Sequence, residues 1–167
     1  MSLAKKIARR YIASIDLSKV TFEKHSDQDR HGNLVTILLK VNNTEFGAVD
    51  GYYNTYKRIE NFHCYSDIQN LVEIYPQVLE KDLSVRIAEV DNSNLHDEVQ
   101  GKGFGVKIYL EYARGQWEDN GGKPFILIPQ ECNDIGGSTS DKAFRVWKSL
   151  ARKYPSSGDC VVILNRP

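Results

Sequence analysis

Apolar residues recur along this chain with two different periods, and the switches between them lay out most of its elements. From Leu3 the residues Leu3, Ile7, Ala8, Tyr11, Ile12 and Ile15 keep helical spacing, with Lys5, Lys6, Arg9 and Arg10 on the other side. An amphipathic helix is therefore expected first, its basic side most simply a solvated face. Val20-Thr21-Phe22 reads as a short strand, broken by the polar stretch from Ser26 to Asn33. Leu34 to Val41, rich in Val, Ile, Leu and Thr, is expected to turn at Asn42-Asn43 and return from Phe46 to Tyr53 as a β-hairpin. The segment from Tyr56 to Cys64 fits strand or loop. Ser66 then caps a helix with the stripe Ile68, Leu71, Val72 and Tyr75, which Pro76 stops or kinks.

In the second half, Ser84 to Asp91 reads as a strand with Val85, Ile87, Glu89 and Asp91 on one face and Arg86, Ala88 and Val90 on the other. Val106, Tyr109, Leu110, Ala113 and Trp117 form a helical stripe, with Lys107, Glu111 and Arg114 outside. Pro124 to Ile128 is a short apolar run of the kind a buried central strand needs. Thr139 or Ser140 caps a last helix with the stripe Ala143, Val146, Trp147, Leu150 and Tyr154, and Cys160 to Leu164 closes the chain as a strand. A strand, a helix and a strand in that order predict a parallel pair joined by a crossover. The expected fold is α/β (α+β): a central mixed sheet flanked by helices in a single domain, 1–167.

Composition narrows the chemistry. At 167 residues a domain buries about 70% of the surface its unfolded chain exposes, enough for a core without staples. Lys plus Arg and Asp plus Glu balance at 22 each, so no global field recruits nucleic acid or an anionic membrane. Cys64, Cys132 and Cys160 are odd in number and form no C-x-x-C pair, which points to a reducing, cytoplasmic setting and away from zinc. His25 and His31 lack ligands at metal-like spacing and are expected as loop residues, so no metal is expected. No stretch approaches the ~20 apolar residues of a membrane span, and no signal-peptide pattern opens the chain.

The stretch with chemical content is Gln100-Gly101-Lys102-Gly103-Phe104-Gly105-Val106, placed between the expected strand and helix. Glycines at alternate positions allow close backbone approach, and a helix beginning behind them points free N–H groups at an anion, most often a phosphate. A dinucleotide fingerprint needs a third glycine where Val106 stands, and a Walker loop needs Lys-Ser or Lys-Thr after its last glycine. The plain alternative is a glycine-rich turn that caps a core helix.

Gln100, Gly103 and Gly105 match Arg/Gln-x-x-Gly-x-Gly/Ala, and in its strand, loop, helix, strand context the stretch resembles the acyl-CoA signature of the Gcn5-related N-acetyltransferases. The resemblance runs over residues 84–164, and the N-terminal half matches only loosely. It implies an acceptor-side half, 1–83, and an acyl-CoA-binding half, 84–167, with Gln100 to Val106 holding the pyrophosphate of acetyl-CoA or another acyl-CoA. It implies transfer of the acyl group to an amine, on a small molecule or a protein, by direct attack. In relatives a carboxylate on the strand before the loop deprotonates the amine through water. Glu89, following two apolar residues on their own face, fits that role best, with Asp91 and Glu98 as reserves. Ala143, Trp147 and Leu150 occupy positions where the family places alanine, tyrosine and an aliphatic residue. An indole N–H is no useful acid, so either Tyr154 or Ser140 protonates the leaving thiolate, or no side-chain acid is used, or the domain binds acyl-CoA without turnover. The stripe Lys142, Arg145, Ser149 and Arg152 is a contact for the cofactor's 3′-phosphate, a contact for an acidic partner, or a solvated face.

Overall fold

The computed structural model describes residues 16–56, 71–73, 75–129, 140–153, 156–157 and 160–163. The expected first helix, the cap at Ser66, the segment around Cys64 and Tyr154 lie outside the described residues. The strands are β1 (Val20–Asp29), β2 (Gly32–Val41), β3 (Thr44–Tyr56), β4 (Val85–Val90), β5 (Asn92–Leu95), β6 (Phe125–Pro129), β7 (Ser156–Ser157) and β8 (Cys160–Ile163). They form one mixed sheet in the order β1-β2-β3-β4-β6-β8-β7, with β5 attached to β3. Neighbours are antiparallel except β4 and β6, which are parallel with Ile87 opposite Ile126 and Val90 opposite Pro129. Among the described residues the longer helices are α1 (Phe104–Asp119) and α2 (Asp141–Lys153), which complete the α/β architecture.

The parallel pair joined through α1 agrees with the strand-helix-strand reading. So does the hairpin: Asn42 and Asn43 both adopt positive φ, 50° and 66°, the conformation a two-residue turn of the right-handed twist demands. The first strand departs from expectation. Instead of ending at Phe22, β1 runs through the polar stretch to Asp29, paired with β2 along its whole length. It is a sheet edge, and from Glu23 onward every residue is exposed. Backbone hydrogen bonds hold such a strand without an apolar face, so hydrophobic periodicity does not register it. Lys24 ties it to the end of α1 through Glu118, at 3.1 Å, and Asp119, at 2.7 Å.

Both faces of the sheet's centre are covered, as the fully buried pattern of β4 requires. Ala88 and Val90 pack with Val35, Ile37, Leu39, Phe125 and Leu127 against Ile108, Tyr112 and Ala113 of α1 and Trp147 and Leu150 of α2. Val85 and Ile87 pack on the other face with Ile126, Ile128, Leu71 and Val78. The buried stripe of α1 is wider than the spacing of Val106, Tyr109 and Ala113 indicates: Ile108, Tyr112, Gly115 and Gln116 are also buried. Among the described residues no helix is long and apolar enough to cross a membrane.

Candidate functional site

The glycine stretch folds as a turn that runs directly into α1, which starts at Phe104 rather than at Val106. Gly101 and Gly103 adopt φ of 71° and 83°, and a Cβ built at either position meets nothing within 4 Å. These two glycines are required by their left-handed backbone and leave open space in front of it. Gly105 is different: a Cβ there would lie 2.8 Å from Cγ2 of Val146, so its absence lets α1 and α2 approach. Gln100 holds the turn in place by donating from Nε2 to the carbonyl of Leu95 at 2.5 Å. Phe104 is buried in the core and anchors the start of the helix, while Lys102 is exposed.

Gly103 caps α1 without a side-chain hydrogen bond, and no acidic residue stands in its first turn. The first backbone N–H groups of the helix therefore have no partner from its cap residue or its own first-turn side chains. They open onto a cleft of about 510 Å³ between the turn, β5 and α2, whose walls include Gln100, Gly101, Gly103, Gly105 and Val106. Lys142, Arg145 and Ser149 of the basic stripe form the opposite wall. Ser140 caps α2, its Oγ accepting from the N–H of Ala143 at 3.2 Å. Lys142 stands at the rim, 3.4 Å from Asp97. Arg152 turns away and bonds the carbonyl of Lys148 and Oγ of Ser149. Among the described residues the lining thus holds two cations and no carboxylate, a donor set suited to phosphate oxygens.

Glu89 lies outside that lining. It is buried, between Ala88 and Val90, which both face the α1 side, so its side chain belongs to the other face. Its neighbourhood is a β-bulge. Tyr53 pairs with Ala88 and Asp50 with Asn92, so Gly51 and Tyr52 oppose Glu89, Val90 and Asp91, two residues against three. The carbonyls this irregularity frees are met by α1: the Tyr112 hydroxyl donates to the carbonyl of Glu89, and Nε2 of Gln116 donates to the carbonyl of Gly51 at 3.0 Å and to the Tyr112 oxygen at 2.9 Å. Leaving one such buried carbonyl unpaired costs about 1–3 kcal/mol, which explains a glutamine inside the core.

Asp91 sits at the bulge's end, its N–H donating to the carbonyl of Asp50 at 2.9 Å. Burial pushes its carboxyl up to about 6, and the nearby charges of Glu89 and Asp50 add to the rise. The folded chain therefore binds this proton more tightly than the unfolded chain, whose carboxyl titrates near 3.8. Ionised Asp91 costs stability fully above about pH 6, progressively less between 6 and 3.8, and nothing below. Asp91→Asn is expected to melt higher than the parent above that window and level with it below. Thermal melts across the pH range check this, and a gap independent of pH would contradict it.

Trp147 stacks its edge on Tyr109, with ring centroids 5.2 Å apart and an interplanar angle of 86°. Tyr109 also lines the cleft, and its hydroxyl donates to Oγ of Ser93 on β5 at 2.9 Å. Glu98 is half-buried and, like Glu89 and Asp91, outside the cleft wall. Sequence reasoning passed over Ser93, Tyr109 as a polar group, and the Tyr112-Gln116 pair. The sole available signal was Gln116, a polar residue one step off the apolar stripe. Comparison with family models, with curated proteins and with solved structures yields no match for this chain.

Proposed function

We propose that this chain is an acyl-CoA-dependent N-acyltransferase of the cytoplasm, moving an acetyl group from acetyl-CoA to an amine. The observation that carries the reading is the cleft in which a helix N-terminus without a side-chain cap, behind Gly101 and Gly103, faces Lys142 and Arg145 with no carboxylate among the described lining residues. Its motif is the one that resembles the Gcn5-related N-acetyltransferases. The groups present fit the donor: backbone N–H groups from Gly103 to Val106 for the pyrophosphate, and Lys142 and Arg145 for a further phosphate. The other edge of β5 carries no strand among the described residues, leaving backbone groups beside the cleft. Bound acyl-CoA supplies an acyl group activated as a thioester.

Attack requires a neutral amine, hence a base that is ionised near neutral pH. The Glu89 and Asp91 pair takes that role in this reading, through water, with the amine approaching from the sheet face that Glu89 occupies rather than through the cleft. With Asp91 pushed up to about 6, turnover should rise through that pH and level off above it. Calorimetric titration with CoA and acetyl-CoA tests the binding half: the absence of heat, with no competition between the two, would sink it. Thiol release across a panel of amines tests transfer, with Glu89→Gln and Asp91→Asn expected to slow it about 10²–10⁴-fold.

Trp147, buried and standing where the resemblance implies a tyrosine acid, supports a second reading in which the same cleft binds acyl-CoA as a ligand only. Tight CoA binding without thiol release over the whole amine panel would favour it.

A further inference from the structure

We propose that Tyr109 is the proton donor of the cleft, giving its phenolic hydrogen to the sulfur that leaves during acyl transfer, with Ser93 relaying a replacement proton from solvent. This rests on the acyltransferase reading above. Expulsion of a thiolate from a thioester is eased by an acid within reach of the sulfur. Among the described residues the ionisable side chains of the cleft wall are Tyr109, Lys142 and Arg145. Arginine does not surrender its proton at working pH, and Lys142 sits exposed at the rim beside Asp97. Tyr109 alone is a neutral acid there.

Its setting suits the task. The residue is 3% exposed, its ring held edge-on by Trp147, so the hydroxyl has one position relative to the wall. The same contact places the phenol one ring away from the indole that cannot donate usefully. Burial raises its pKa, which keeps the group protonated and ready to donate. Ser93 is exposed on β5 and bonded to the hydroxyl, so it joins the buried oxygen to water. In the step, the C–N bond forms and the C–S bond breaks. Tyr109 passes its proton to sulfur, the phenolate regains one from water through the Ser93 hydroxyl, and the amine's proton leaves by the base. Atoms and charge balance with no oxidant or reductant.

Tyr109→Phe keeps the ring against Trp147 and removes only the hydroxyl. Parent and variant are titrated by calorimetry with CoA and with desulfo-CoA, and thiol release is followed over the amine panel. The parent should prefer CoA to its desulfo analogue by about tenfold, and the variant should lose that preference. Its kcat should fall about 10²–10⁴-fold with KM for acetyl-CoA little changed. A fluorinated tyrosine at position 109, which lowers the phenol's pKa at almost constant shape, should draw the alkaline limb of the kcat profile to lower pH. That variant carries the test if Tyr109→Phe fails to fold. A normal kcat with the CoA preference intact in Tyr109→Phe, or an unmoved alkaline limb, overturns the proton donor while leaving the acyltransferase standing. A parent that binds CoA but never releases thiol overturns the donor and keeps the binding reading. A parent that binds no CoA overturns both.

Discussion

Gly51→Ala is expected to cost about 3 kcal/mol or more and to lower the melting temperature by about 6–12 °C, an effect large enough to prevent expression of folded protein. A Cβ at Gly51 would be driven into the backbone carbonyl of Glu89 and to 2.6 Å from the Tyr112 hydroxyl. Neither neighbour can step aside. The Glu89 carbonyl belongs to β4, whose partner β6 pairs with it from Ile87 to Val90. Tyr112 is fully buried and bonded to Gln116. The clash therefore has to be relieved by opening the bulge, which strands the carbonyls that Tyr112 and Gln116 satisfy. Gly101→Ala is the control: it meets no atom within 4 Å, so its cost is the left-handed backbone alone, about 1–2 kcal/mol. Chemical denaturation of both variants compares them, and a Gly51→Ala protein as stable as Gly101→Ala would show that the strands are not in this register.

Reversing Lys142 and Arg145 together to glutamate is expected to weaken CoA binding at least about 100-fold while leaving the melting temperature nearly unchanged. Both side chains are exposed on α2, and among the described residues Lys142 has only the rim contact with Asp97, a kind of pair worth little to stability. A charged hydrogen bond to phosphate is worth about 1.5–3 kcal/mol, so losing two and adding repulsion supports that factor. Calorimetry at low and high salt should show the parent's affinity falling with salt and the variant's less so. Equal affinity in both proteins would remove α2 from the site and leave the glycine turn by itself.

The local pattern carried these elements a long way. The hairpin at Asn42-Asn43 was legible because β-branched runs and a turn requiring positive φ coincide there. The parallel pair was legible because β6 is short, apolar and separated from β4 by a helix-length interval. The edge strand was not, since β1 needs only backbone partners, and Ser26 to Asp29 look like any loop. The glycine motif was recognisable by spacing, but the different work of its glycines was not. Gly101 and Gly103 serve a backbone conformation, and Gly105 serves the packing of a helix that lies 41 residues further along the chain, at Val146. Nothing local to Gly105 records that neighbour.

What the sequence by itself determined is therefore the mixed α/β architecture and a glycine turn leading into a helix at Gln100 to Val106, because both depend on local periodicity and on residues whose backbone preferences act where they stand. The tertiary structure decided which cations face that turn, that Glu89 lies behind the sheet rather than in the cleft wall, and that Tyr109 and Ser93 meet. Those are relations between segments far apart in the chain. The bulge at Glu89 to Asp91 is of the same kind: it needs glycine at position 51 and the side chains of Tyr112 and Gln116, which lie more than sixty residues further along, to meet its carbonyls.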